Sequence, residues 1–318
     1  MRKKSFAGLC VVFVLASVCL GFGQVTAAGV NYQKVAILKW YPANQAASFV
    51  TGTRPVGVAF DGSSIWVTDL TNNTVTKHRA SDGAILGVFP TGLYPIAIAF
   101  DGAAIWVANY HANTVSKLRA ADGANLGTFA AGNFPNGLAF DGTNIWITNG
   151  QTTYVTKLRA SDGAQQGTFT VGSWPVGIAF DGVNMWVGNA SSNTITKLRA
   201  SDGANMGTFN VGPDPQGVAF DGVNIWVTSY IGGWVNKLRA SDGVQLGQYS
   251  GVGHAVAIAF DGANMWISDE TGTTVTKLRA ADGLNLGTFS TGSGPEGIAF
   301  DGANIWVANG GSGTVSKL

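Results

Sequence analysis

The sequence is short of the residues that most often carry chemistry. Its 318 residues include two cysteines, three histidines and 12% charged side chains. Both cysteines, Cys10 and Cys19, fall inside an apolar N-terminal stretch. The chain beyond that stretch therefore has no thiol for a disulfide, a metal or a nucleophile. No metal motif, nucleophile elbow or phosphate loop occurs either. Charge of one sign is also missing. Removing the three N-terminal basic residues from 19 leaves 16, against 18 acidic, a net charge of −2. A nucleic-acid partner would demand a basic face, so that class is excluded.

Long apolar runs are absent after the start. Residues 1–28 read as a signal peptide, with Arg2, Lys3 and Lys4 as a basic start and Phe6 to Gly21 as the apolar core. Val25-Thr26-Ala27 supplies a small-residue cleavage site. The apolar stretch is short for a membrane span, which needs about 20 residues, and no later segment offers another. The mature chain is expected to be secreted, or periplasmic or on the cell surface, with no membrane span. Lipid attachment at Cys19 is the competing reading, but Val18 stands where lipoprotein signals want a small residue.

What the sequence has in excess is glycine, 45 copies, and repetition. Ala-Phe-Asp-Gly recurs at 59–62, 99–102, 139–142, 179–182, 219–222, 259–262 and 299–302, each followed at constant distance by a tryptophan, Trp66 through Trp306. The period is 40 residues without an insertion, the mark of a radial repeat architecture. In the second unit, strands are expected at Ile96–Phe100 (A), Ile105–Ala108 (B), Thr114–Arg119 (C) and Leu126–Ala130 (D). Asp101-Gly102 and Asp122-Gly123 supply the hairpin turns, since glycine takes positive φ without steric cost. Four-stranded units of this kind bury their faces by stacking around an axis, with the tryptophans between blades.

Strand counting predicts the closure. The seventh unit, from Pro295, ends at Leu318 after strand C. Its missing strand D appears at the other end, where Ser48-Phe49-Val50-Thr51-Gly52 matches Thr128-Phe129-Ala130-Ala131-Gly132. The expectation is an all-β, seven-bladed β-propeller over 48–318, four antiparallel strands per blade, closed by an N-terminal strand that removes the open edge. Residues 29–47 form an N-terminal segment in which Val35 and Leu38 repeat the phase of Val115 and Leu118, a second strand-C-like stretch at 34–39. Lys117, Arg119, Asp101 and Asp122, which recur in nearly every unit, suggest ion pairs between strand C and the turns.

Pro175-Val176-Gly177-Ile178-Ala179-Phe180-Asp181-Gly182, followed by Trp186-Val187-Gly188-Asn189 and Thr194-Ile195-Thr196-Lys197-Leu198, resembles the YVTN and NHL classes of bacterial propeller repeat. Trp106-Val107-Ala108-Asn109 is closer still to the YVTN signature. A WD repeat fits the period but not the residues, because no tryptophan here precedes an aspartate. Such repeats serve enzymes, sensors and binding proteins alike. Streptogramin lyases look similar in their repeats, and that resemblance implies a His just after the Pro opening strand A and a Glu ending strand B. The first slot holds Val56, Ile96, Asn136, Val176, Gln216, Val256 and Glu296; the second holds Asp69, Asn109, Asn149, Asn189, Ser229, Asp269 and Asn309. Neither slot carries the lyase residue, so the lyase mechanism is not expected.

Connectivity puts the A–B and C–D turns on one face and the B–C and D–A loops on the other. The first face is nearly identical from blade to blade, and the second varies, so the second is the candidate binding face. The position before strand A reads Arg54, Tyr94, Phe134, Trp174, Asp214, His254 and Gly294. Tyr94, Phe134 and Trp174 form a candidate stacking platform, with Tyr110, His111, Tyr154, Tyr230 and Trp234 added from the B–C side. The competing reading is that these rings only cap the blades. Asp69, Asp269 and Glu296 are weak candidates for an oxygen-ligand metal site, against a role in bonding their own loops. For acid–base work the one candidate pairing is His254 with Asp269 or Glu270; His78, in place of the strand-C leucine, reads as structural. The leading expectation is an exported, monomeric, non-catalytic propeller without cofactor that binds a protein, peptide, glycan or small molecule. A hydrolase or lyase at the same face and a structural surface protein are the alternatives.

Overall fold

The computed structural model describes residues 46–318; the leader at 1–28 and the stretch at 34–39 lie outside them. The described residues form 28 strands in seven antiparallel four-stranded sheets, without a helix. The chain is a seven-bladed β-propeller. Blade 2 is typical: Pro95–Phe100, Ala104–Asn109, Thr114–Arg119 and Asn125–Ala130, each within a residue of the predicted strands A to D. The A strands are innermost, and each packs beside the A strands of the two neighbouring blades around the axis. Each A strand carries a bulge opposite strand B, where pairing passes from Pro135↔Asn149 to Leu138↔Ile147 in blade 3. The residues at these bulges, Asn136 and Gly137 in blade 3 and their equivalents in every blade, face the axis.

The ring closes as predicted. Strand Ala47–Val50 pairs antiparallel with Thr314–Lys317, Phe49 opposite Val315, as Phe129 stands opposite Val115 inside blade 2. The last blade is thus built from both ends of the propeller, and its outer edge is occupied like the others.

The core lies between blades. Seven clusters of buried side chains occur among the described residues, each spanning the seam between neighbouring blades, as Trp146 and Val155 meet Met185, Val187 and Leu198 of the next blade. A tryptophan buries about 200 Å², worth roughly 5 kcal/mol of gross transfer free energy at ~25 cal/mol per Å². Its indole N–H, which cannot be left unpaired in such a place, donates to the turn aspartate, Trp146 Nε1 to Asp141 Oδ2 at 2.7 Å. Burial works to raise the pKa of Asp141, but that indole bond, with the Asn144 and Thr143 amides, outweighs it and holds the carboxyl below its usual value.

The strand-C cations differ from the sequence expectation. Arginines do pair with turn aspartates, Arg119 with Asp122 at 3.0 Å, on the exposed surface. The seven strand-C lysines lie over the tryptophan of their own blade, Lys157 Nζ 4.9 Å from the Trp146 centroid. All but Lys277 donate across the seam to a carbonyl of the next blade's C–D turn, while Lys77 and Lys277 also stand 3.9 Å from the turn carboxylates of Asp61 and Asp261, as expected. Lys157 reaches Ala200 O at 2.7 Å, and Lys317 reaches Ala80 O at 2.8 Å across the closing seam. A flexible amine with three donors suits this better than an ion pair: it keeps its apolar stem on the ring and its charge on a carbonyl.

His78 is buried in blade 1 and makes two hydrogen bonds. Nδ1 lies 2.9 Å from the carbonyl of Gly83 and must donate to it, so Nε2 accepts from the Thr51 hydroxyl at 2.7 Å. Burial pushes its pKa down, and the Gly83 carbonyl offsets only part of that. The folded state therefore binds the proton more weakly than the unfolded chain, whose imidazole titrates near about 6.5. Stability is full above that pH and falls as pH drops below it, until the folded pKa is also passed. Urea melts at a series of pH values should show this loss, and His78→Leu, the residue of the other blades, should flatten it.

Candidate functional site

The variable face is built on a backbone lock common to all blades. The residue before strand A gives its carbonyl to the amide of the residue directly after strand B of the same blade: Leu70 N–H to Arg54 at 3.0 Å, Tyr110 to Tyr94 at 2.9 Å, Tyr230 to Asp214 at 3.0 Å, Glu270 to His254 at 3.1 Å. Tyr94, Phe134, Trp174 and Asp214 adopt left-handed backbone, φ 63, 50, 57 and 52°. Side chains there cost about 1–2 kcal/mol each, and loop bonds hold them: Asn73 Oδ1 accepts from Tyr94 N–H at 2.8 Å, and Asn113 Oδ1 from Phe134 N–H at 2.9 Å. The rim side chains are thereby preorganised on a rigid ring.

The residues ending strand B serve this lock. Asp69 is buried and accepts from the Thr53 amide at 2.7 Å and from those of Arg54, Thr71 and Asn72, and from the Asn72 side chain at 2.6 Å. Burial alone would raise its pKa; these donors lower it. Asn109 and Asn189 accept from Gly92 and Gly172, and Ser229 bonds Pro213 O. The structure does not bring Asp69, Asp269 and Glu296 into one group, and no cluster of three or more metal-ligating side chains occurs among the described residues.

Two arcs of side chains stand above the axis. The first is aromatic and comes from blades 2 and 3. Tyr94 meets His111 edge-on at 4.3 Å between centroids, Tyr110 lies 6.2 Å from Tyr94 and 5.2 Å from Phe134, and Gln151 donates to the Tyr110 hydroxyl at 3.1 Å. Trp174 does not join these rings: exposed, it lines a separate groove with Tyr154 and Gln151. Tyr154 and Trp234 prove to be the first residues of their C strands, not loop residues. Trp234 packs on Gly212 and Gly232, with its indole N–H buried and without a partner among the described residues.

The second arc is acidic and comes from blades 5 to 7 and 1. Tyr230 stacks at 5.0 Å on His254, and burial with the Glu270 carboxylate raises the Tyr230 phenol. Asp269 accepts from the His254 amide at 2.9 Å, not from its ring. The ring contacts Thr271 instead, Nδ1 to Oγ1 at 2.9 Å, while Thr271 donates to Asp269 Oδ1 at 3.2 Å. One hydroxyl has one proton, so Nδ1 is the donor and Nε2 carries the lone pair. Asp214 accepts from Gln216 Nε2 at 2.6 Å. Arg54 Nε lies 3.7 Å from Glu296 Oε1.

Below both arcs opens a cavity of about 420 Å³ on the axis. Val56, Ile96, Asn136, Val176, Gln216, Val256 and Glu296 ring its upper wall, and Val58, Ile98, Leu138, Ile178, Val218, Ile258 and Ile298 the lower. Glu270 also lines it. A Cβ placed on Gly150 would lie within 3.6 Å of both Tyr110 and Asn136, so the aromatic arc adjoins the cavity wall. Thr271, Gln151 and the Arg54–Glu296 pairing escape a reading of the repeat. The available signal was the polar Asn136, Gln216 and Glu296 in a slot that four other blades fill with Val or Ile.

No protein-family model and no curated protein matches the chain. Among solved structures, the chain is similar to hydrazine synthase of Kuenenia stuttgartiensis, with TM-score 0.75 and 16% identity over 84% of this chain and 96% of that one. It is also similar to a streptogramin B lyase, with TM-score 0.73 and 18% identity over 86% of this chain and 96% of the other. At these identities the likeness shows the fold alone, that of a β-propeller repeat protein.

Proposed function

We propose that the chain is an exported YVTN/NHL-type repeat propeller that binds, without catalysis, a small ligand or an exposed segment of a partner at its B–C/D–A face. The observation that carries this reading is the cluster of Tyr94, Tyr110, His111 and Phe134, locked in place beside the mouth of a 420 Å³ cavity. Clustered rings give large contact area at little entropic cost, which suits an aromatic molecule, a glycan or a peptide. A test is titration of aromatic glycosides, oligosaccharides and tyrosine-containing peptides against the protein and its Tyr94→Ala, Phe134→Ala and Trp174→Ala triple variant. The triple variant should bind roughly 10- to 100-fold more weakly, as loss of aromatic anchors does. Trp174→Ala alone should account for little of that. An unaltered isotherm in the triple variant contradicts the reading.

The hydrolase or lyase alternative draws on the Asp269–Thr271–His254 chain, which leaves Nε2 as the basic nitrogen. Turnover of an ester, lactone or glycan panel that vanishes in His254→Ala would favour it over binding alone.

A further inference from the structure

Among the described residues lining the axial cavity, only Glu270 and Glu296 carry charge. Glu296 is the more confined: its side chain is 17% exposed, and its carboxylate presses on Gly310, where an added Cβ would lie 2.5 Å from Oε1. Its carboxylate has no hydrogen-bond partner nearer than Arg54 among the described residues. Its nearest cation, Arg54, stands on the next blade at 3.7 Å, long for a hydrogen bond, with a half-exposed side chain. Glu270, from the blade on the other side, adds a second negative charge. A carboxylate that is largely desolvated, with one cation at 3.7 Å and a second carboxylate nearby, gains from a further donor in the cavity. Around it the walls are aliphatic apart from Asn136 and Gln216, with Tyr110 adjoining the wall at Asn136 and Tyr230 beside Glu270; aromatic rings near a cation site add to its attraction.

We infer that the channel mouth is a site for a small organic ammonium ion with an apolar body, its charge against Glu296 and Glu270 and its body against the aliphatic ring. This rests on the binding face proposed above and narrows its ligand class. Two carboxylates against one guanidinium leave the site one positive charge short of balance, and Arg54 competes with the ligand for Glu296. Burial, reinforced by Glu270 and opposed by Arg54, pushes the Glu296 pKa up to about 7. The other ionisable groups of the acidic arc are Asp269, next to Glu270 on the same blade, with His254, and Asp214 and Tyr230 on the blade before, where Glu270, Asp214 and Asp269 all act on the Tyr230 phenol. Binding should therefore strengthen as pH rises through 7, over a range where an alkylammonium keeps its charge.

The experiment is calorimetric titration of the protein with phenethylammonium chloride at pH 8, beside the neutral isostere 2-phenylethanol and calcium chloride alone. Phenethylammonium is expected to bind at least tenfold more tightly than 2-phenylethanol. Glu296→Gln should weaken it at least tenfold, and Arg54→Met, which removes the competing cation, should strengthen it. That gain cannot come from a damaged fold, and thermal melts of both variants check the Glu296→Gln loss. Equal binding of 2-phenylethanol, lost on Tyr94→Ala, overturns the cation inference while leaving the binding face standing. Ammonium binding indifferent to both Glu296→Gln and Arg54→Met overturns it, as does absence of ammonium binding. A Glu296-dependent calcium signal without an ammonium signal overturns it as well.

Discussion

Phe49→Ala should lower stability by roughly 2–4 kcal/mol, although Phe49 belongs to a strand of only four residues at the start of the described chain. Phe49 stacks on Trp306 at 5.7 Å between centroids and closes the seam between the last blade and the first, where Gly83 lies flush against its ring. In blade 2 the equivalent ring, Phe129, is held in a strand continuous with the strands on both sides. The closing strand is held by its pairing with Thr314–Lys317, by this ring, and by the bonds of Thr51 just after it to His78, Thr76 and Gly313. Its loss frees the edge of strand C for pairing with other chains, so the variant should also aggregate on heating. Urea melts of Phe49→Ala beside Phe129→Ala check this. A loss below about 0.5 kcal/mol, the scale of a surface substitution, would show that the ring does not depend on that strand.

The second large effect separates two glycines that look alike in sequence. Gly182, in an A–B Asp-Gly turn, and Gly203, in a C–D Asp-Gly turn, have φ of 95° and 76°. A Cβ on Gly182 meets nothing within 4 Å, so Gly182→Ala should cost only the backbone strain, about 1–2 kcal/mol. A Cβ on Gly203 would fall 2.0 Å from the Phe169 ring of the preceding blade. Overpacking of about 1–3 kcal/mol then adds to the strain, for a total of roughly 2–5 kcal/mol. Chemical melts of the two single variants measure the difference. Equal losses would mean that the seam has slack, contrary to the packing described here.

This contrast marks how far a linear reading reaches. The 40-residue period, the Asp-Gly turns and the match of 48–52 to 128–132 carry blade number, strand order and closure, because each depends on spacing within one repeat. Where a side chain reaches across a seam, spacing is silent. Lys157 looks like a partner for a turn carboxylate until the offset between blades places Ala200 O under its amine. The rim followed the same division. Arg54 through Gly294 could be placed on one face from connectivity alone. That Tyr94 meets Phe134 through Tyr110, while Trp174 stands apart, depends on left-handed backbone at those residues and on loops from different blades. Glu296 was visible as an oddity among Val and Ile, but its setting joins Glu270, 26 positions away on the preceding blade, and Arg54, 242 positions away and brought near only by ring closure.

The central claim is that the regular face holds the fold and the irregular face holds the ligand. Amide hydrogen exchange, followed by mass spectrometry with and without saturating phenethylammonium or any ligand the titrations yield, tests it most directly. Protection should gather in the segments around Tyr94, Tyr110, Phe134, His254, Glu270 and Glu296, with no change at the Asp-Gly turns of the opposite face. Protection centred on those turns, with the rim unchanged, would contradict it.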